Sequence, residues 1–108
     1  MLKERPESLV RVYRKLESTV RGFGEVEVVT RDRYALFRTT RIFADLSVTR
    51  DALRVVVHLS RRANDPCFVK AGPAGKRVSH VAFVATLRDL QAIAPYLREA
   101  YDLAAGEA

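Results

Sequence analysis

The stretch IFADLSVTRDALRVVVHLS, residues 42–60, decides the fold. Leu53, Val55, Val57 and Leu59 alternate with Arg54, Val56, His58 and Ser60, the period of two that marks a strand with two unlike faces. The run before it, residues 42–49, is joined to it only by Arg50-Asp51-Ala52, a connection that permits nothing but an antiparallel hairpin. Setting Val48 opposite Leu53 brings Leu46 against Val55, Ala44 against Val57 and Ile42 against Leu59, a coherent apolar face. The other face then carries Arg41, Phe43, Asp45, Ser47, Arg54, Val56, His58 and Ser60, a mixed and partly basic surface.

The same β-rich pattern continues on both sides of this hairpin. Residues 25–30, 34–39, 67–71 and 78–85 add four more candidate strands, with separators at 31–33, 40–41, 61–66 and 72–77. None of these separators holds a crossover helix, so consecutive strands are expected to be neighbours in a meander. The fifth strand is the weakest element, because Asp65-Pro66 precedes it and proline belongs at sheet edges.

A period near 3.6 flanks the strands. Leu9, Val12, Tyr13, Leu16 and Val20 lie on one face of a helix that opens at Pro6-Glu7-Ser8, runs about four turns and stops at Gly22, where glycine would take the left-handed position. Thr86 and Asp89 have the spacing of a capping box for a second helix whose stripe is Leu87, Leu90, Ile93, Ala94, Leu97 and Tyr101. Pro95 lacks the amide hydrogen a helix interior uses, so a break there is expected. The whole is an α+β domain: N-terminal helix, six-stranded antiparallel meander, broken C-terminal helix, with the helices packed on one face of the sheet. Its 108 residues suit one domain, with a core over about 7–104.

Charge is concentrated in the sheet. Residues 31–80 hold eleven Lys or Arg against four Asp, +7, while residues 1–30 carry +1 and residues 81–108 carry −2. No apolar stretch approaches the roughly 20 residues that span a bilayer, and the first residues, Met1-Leu2-Lys3-Glu4-Arg5-Pro6, lack a signal-peptide core. A single cysteine, Cys67, excludes an internal disulfide and agrees with a cytoplasmic location, without a membrane partner.

The sequence carries few marks of chemistry. Gly72-Pro73-Ala74-Gly75-Lys76-Arg77 has two residues between its glycines and an arginine after the lysine, where a phosphate loop has four and a Ser or Thr. It also fits a GxxG string, but between strands, and reads as a hairpin turn that would touch an anion through Lys76 and Arg77. His58, His80 and Cys67 lie on separate strands without paired spacing, so no metal and no cofactor is expected. His58, diagonal to Asp45, is the one acid–base pair, and no nucleophile stands beside it in this reading, so no catalytic residue is assigned.

Arg41-Ile42-Phe43-Ala44, the run 53–59, Val69-Lys70, Ser79-His80-Val81 and Leu97-Arg98-Glu99-Ala100-Tyr101, in that order, resemble a bacterial family catalogued as a domain of unknown function. The resemblance extends over about residues 9–103. Members of that family also resemble the C-terminal part of larger chains described as predicted transport proteins, and some are attached to nuclease-like or restriction-related domains. The resemblance implies the fold and a binding role, and brings no catalytic residue.

The expected role is therefore binding or assembly, more than a reaction, through the face opposite the helices. Arg38, Arg41, Phe43, Asp45, Arg54, His58, Arg61, Arg62, Lys76 and Arg77 are the candidate contacts for an anion or a partner. Exposed Phe43, Val56, Val81 and Phe83 would suit a protein partner or a homodimer. Arginines interleaved with Tyr34 or Phe43 would suit nucleic acid, and a concave basic face would suit a small anionic ligand.

Overall fold

The computed structural model describes Leu2 and residues 5–106; Met1, Lys3 and Glu4 of the N-terminal stretch lie outside the described residues. Helix α1, Glu7–Arg21, is followed by strands β1 (Glu27–Thr30), β2 (Tyr34–Arg38), β3 (Ile42–Val48), β4 (Leu53–Leu59), β5 (Lys70–Ala74) and β6 (Arg77–Val84), and then by helix α2, Leu87–Ala105. All six strands form one antiparallel sheet. Helix α2 lies across β3, β4 and β6, and α1 packs on α2, so both helices cover one face, and among the described residues no helix covers the other, open face. No described helix is long and apolar enough to cross a membrane.

The helices form where the apolar stripes require. Leu9, Val12, Tyr13, Leu16 and Val20 are the buried face of α1. The Thr86 hydroxyl accepts from the Asp89 amide while the Asp89 carboxylate accepts from the Thr86 amide, closing the capping box that starts α2. Pro95 does not break this helix, contrary to expectation; α2 runs through it. An interior proline costs about 3 kcal/mol, but Ile93 and Leu97 on either side are fully buried and contribute about 1.5–3 kcal/mol each. Tertiary burial holds the helix together across the missing hydrogen bond.

Gly22 is a second correction, since it keeps a right-handed conformation (φ −70°). The positive φ falls two residues later, at Gly24 (φ 153°), where an added Cβ would overlap the Tyr101 hydroxyl. Phe23 stacks on the Tyr101 ring at 5.7 Å between centroids, and Arg98 lies over Phe23 at 5.3 Å, so the chain leaves α1 by folding down on α2.

The strand order is β1-β2-β3-β4-β6-β5, not a simple meander. The first four strands are consecutive neighbours, as read, but β6 pairs with β4 and pushes β5 to the edge. Strand β5 also begins and ends three residues later than the sequence pattern suggests, taking in Gly72 and Pro73. Pro73 accounts for the inversion, because a residue without an amide hydrogen cannot serve an interior strand and is tolerated at an edge. The β5–β6 turn is then only Gly75-Lys76, with Gly75 at φ 64°. Residues 60–69 travel beneath the sheet to reach that edge, tucking in Ala63 and Phe68. Buried His80 anchors them: its Nε2 accepts from the Ala63 amide at 2.9 Å, its Nδ1 meets the Val78 carbonyl at 3.0 Å, and Phe68 packs on its ring.

The hairpin that decides the fold has the register read from sequence at Val48–Leu53, Leu46–Val55 and Ala44–Val57. It stops there. Across β2 and β3, Phe37 faces Ala44 and Arg38 faces Ile42, so Phe43 is an extra residue, a β-bulge. Phe43 and Ala44 both turn to the core, where Phe43 is fully buried and meets Tyr101 at 5.6 Å. Ile42, expected in the core opposite Leu59, is 37% exposed on the open face. The assignment of Phe43 to the open face as a contact or stacking surface is thus overturned. The same bulge predicts unequal substitutions: Phe43→Ala should cost about 3–5 kcal/mol of stability by cavity formation, and Ile42→Ala less than about 1 kcal/mol. Urea unfolding of both variants measures the difference.

Candidate functional site

Alternation and register assign every open-face side chain. From edge to edge, Val29, Leu36, Asp45, Val56, Val81 and Lys70 stand in one row, and His58, Ser79 and Gly72 in the next. Further along, Tyr34, Ser47, Arg54 and Phe83 form a third row, with Tyr34 and Phe83 43% and 47% exposed.

His58, in the second of these rows, has both ring nitrogens engaged. Its Nε2 is 3.1 Å from Asp45 Oδ2 and its Nδ1 is 2.8 Å from Ser79 Oγ. The bulge leaves Asp45 on the open face of β3 diagonal to His58 on β4, and the β4–β6 ladder places Ser79 directly opposite His58. A carboxylate only accepts, so in the neutral imidazole Nε2 carries the hydrogen toward Asp45 and the Nδ1 lone pair faces the serine hydroxyl. This is the connectivity of a carboxylate, an imidazole and a hydroxyl in series. The imidazole and carboxylate are 19% and 33% exposed, neither sealed in the core nor fully in water.

A cavity of about 380 Å³ opens beside His58, lined by Arg41, Ile42, His58, Ala74, Lys76 and Arg77. Three cationic residues meet there from two segments distant in sequence: Arg41 from the β2–β3 turn, and Lys76 and Arg77 from the β5–β6 hairpin. Partial burial lowers the Arg41 pKa from its ordinary value by desolvating the charged guanidinium.

The other basic candidates stand apart. Arg61 makes a two-pronged ion pair with Glu99 of α2, at 3.0 and 2.9 Å, and that carboxylate raises its pKa further. Arg62 donates to the Ala71 carbonyl at 3.3 Å near the sheet edge. Arg38 lies 4.0 Å from Glu27, and Arg54 is in the row of Tyr34 and Phe83. The ten sequence candidates therefore divide: Arg41, His58, Lys76 and Arg77 share one cavity, Asp45 backs His58, and Arg38, Arg54, Arg61 and Arg62 are elsewhere, while Phe43 is in the core. Ser79 was missed, although its place in Val78-Ser79-His80-Val81 on an alternating strand put it on the face of Val81.

His58, His80 and Cys67 do not converge. His58 faces the open side, His80 the core, and Cys67 lies in the loop 60–69, where its amide donates to Asp65 Oδ1 at 2.9 Å. Among the described residues no cluster of His, Cys, Asp and Glu is arranged to hold a metal. Tyr96 of α2 donates to Asp65 Oδ2 at 2.6 Å, a bond that, with the Cys67 amide, holds the Asp65 carboxyl below its ordinary pKa. Burial, reinforced by that carboxylate, pushes the Cys67 thiol up to about 12. Since the thiolate is the reactive form, alkylation of Cys67 by iodoacetamide near neutral pH should be at least about tenfold slower in the folded protein than in urea. Equal rates would contradict this environment.

No curated protein and no solved structure matches the chain. A family model does match it, over residues 1–104. With the helix–sheet–helix order and the open basic face now described, the chain belongs to the family described as "Domain of unknown function (DUF5655)".

Proposed function

We propose that this domain binds a small, phosphate-bearing anion on the open face of its sheet, between the β2–β3 turn and the β5–β6 hairpin. The observation that carries the reading is the cavity that Arg41, Lys76 and Arg77 line together with His58. Charge-assisted hydrogen bonds from Arg and Lys to phosphate oxygens are about twice as strong as neutral ones. A volume of about 380 Å³ is of the size that accommodates a small ligand.

Two other readings of the face lose support. Assembly through an apolar surface would use Phe43, Val56, Val81 and Phe83, but Phe43 is buried, Val56 and Val81 are only 9% and 6% exposed, and Phe83 alone of the four, at 47%, meets solvent. Nucleic acid would be favoured by one long basic track, whereas Arg61 and Arg38 lie beside Glu99 and Glu27 and Arg62 lies at another cavity. Surface cations already paired with carboxylates add little to long-range attraction.

Titration calorimetry with pyrophosphate in low salt tests the reading. Binding is expected, and the double variant Lys76→Ala/Arg77→Ala should weaken it by at least about tenfold, because hydrogen bonds to charged groups contribute about 1.5–3 kcal/mol each. Arg61→Glu should leave it unchanged. Absence of binding, or binding indifferent to the double variant, contradicts the site. Binding of a single-stranded oligonucleotide that Arg61→Glu abolishes would establish the extended nucleic-acid surface instead.

A further inference from the structure

We propose that Ser79 is a nucleophile, activated by His58, that attacks the phosphorus of a phosphate ester held in the basic cavity. The choice of a phosphate ester rests on the anion-binding reading above; the reactivity of Ser79 rests on its own geometry.

Four observations support the serine. Its Oγ is 2.8 Å from His58 Nδ1, and the opposite nitrogen of the same ring is 3.1 Å from Asp45 Oδ2, so the base is oriented by a third group. The three residues come from β6, β4 and β3 of one rigid sheet, which fixes their spacing through backbone ladders. Ser79 is half-buried, not sealed in the core. Across the ladder, on the side away from His58, its neighbour is Gly72, and a Cβ added there would meet nothing within 4 Å. Gly72 does not have a positive φ, so its backbone conformation does not call for glycine. A glycine inside a strand weakens it, and close approach of a ligand is one use that compensates. Here it leaves the approach to Ser79 Oγ open.

The surrounding charge selects the electrophile. Acyl transfer calls for amide hydrogens aimed at a developing oxyanion, but Ser79 lies mid-strand between two hydrogen-bonded neighbours, where the amides serve the sheet. The cationic side chains of Lys76, Arg77 and Arg41 line the cavity on the same face. Such cations suit the non-bridging oxygens of a transferring phosphoryl group.

The step balances without a further reactant beyond water. His58 Nδ1 takes the Ser79 hydroxyl proton as Oγ forms a bond to phosphorus, the bond from phosphorus to the ester oxygen breaks with its electron pair on that oxygen, and the departing alkoxide recovers the proton from Nδ1. Water then gives a proton to Nδ1 and attacks the phosphoserine phosphorus, and Ser79 Oγ leaves with that proton. Asp45 is a positioning residue, holding the ring with Nδ1 toward the serine.

The test uses an alkyl fluorophosphonate on the full chain, with the modified residue located by peptide mass spectrometry. Labelling at Ser79 is expected, with none in Ser79→Ala, and a rate about 10²–10⁴-fold lower in His58→Gln, which keeps hydrogen-bonding groups but cannot take the proton. Saturating pyrophosphate should slow labelling of the unmodified protein. Unlabelled Ser79, or equal rates in the parent protein and His58→Gln, overturns the nucleophile even where calorimetry detects pyrophosphate. Labelling that bound pyrophosphate does not slow overturns the phosphate-ester assignment. Circular dichroism of both variants confirms that the comparison is between folded proteins.

Discussion

Side chains on a strand alternate between its faces, so the extra residue at Phe43 in β3 reassigns two neighbours at once and thereby shapes both sides of the sheet. On the helix side it delivers a second aromatic ring to the core, where Phe43 meets Tyr101 and Tyr101 in turn stacks on Phe23. On the open side it releases Ile42 and Arg41 toward the β5–β6 hairpin while leaving Asp45 where the unbulged part of the ladder puts it, diagonal to His58. Without the bulge, Phe43 would stand on the open face beside His58. The opening of the cavity beside His58 is a consequence of a local change in register, while the imidazole and the carboxylate that orients it rest on the unshifted part of the ladder.

The edge inversion completes the site. Pro73 confines β5 to the outside of the sheet, so β6 lies against β4 and Ser79 comes opposite His58. The same arrangement turns the short Gly75-Lys76 hairpin back beside the β2–β3 turn, uniting cations 35 residues apart in the cases of Arg41 and Lys76. What holds residues 60–69 in their path around the edge is buried His80, with the Asp65–Tyr96 bond to α2. One histidine is thus spent on architecture and the other placed on the open surface.

Much of this was legible in the residue pattern. Both amphipathic stripes, the capping box, six strands and the β3–β4 register follow from periodicity and connection length, because burial of one face enforces them. The Asp45–His58 pair follows from that register. The bulge was not legible, since Phe43 and Ile42 are equally apolar and no glycine marks the irregularity. Ser79 was hidden by the assumption that consecutive strands pair, which sets it two strands from His58; weight given to Pro73 as an edge residue would have brought them together. Pro95 and Gly22 misled because local preference was read without the packing that overrides it, Ile93 and Leu97 in one case and the close approach of Gly24 to Tyr101 in the other. The charge count located the basic segment correctly but could not distinguish Arg61, committed to Glu99, from Lys76 and Arg77, which share a cavity.

The central claim is that the open face brings a phosphate site and an imidazole-backed serine to one place. A crystal structure of the full chain grown with orthovanadate, which imitates phosphate and accepts a fifth oxygen ligand, examines both together. The account predicts vanadium density on the open face with Lys76 and Arg77 in contact and Ser79 Oγ directed at the vanadium. Vanadate bound only elsewhere, or Ser79 turned away from both His58 and the anion, would contradict it.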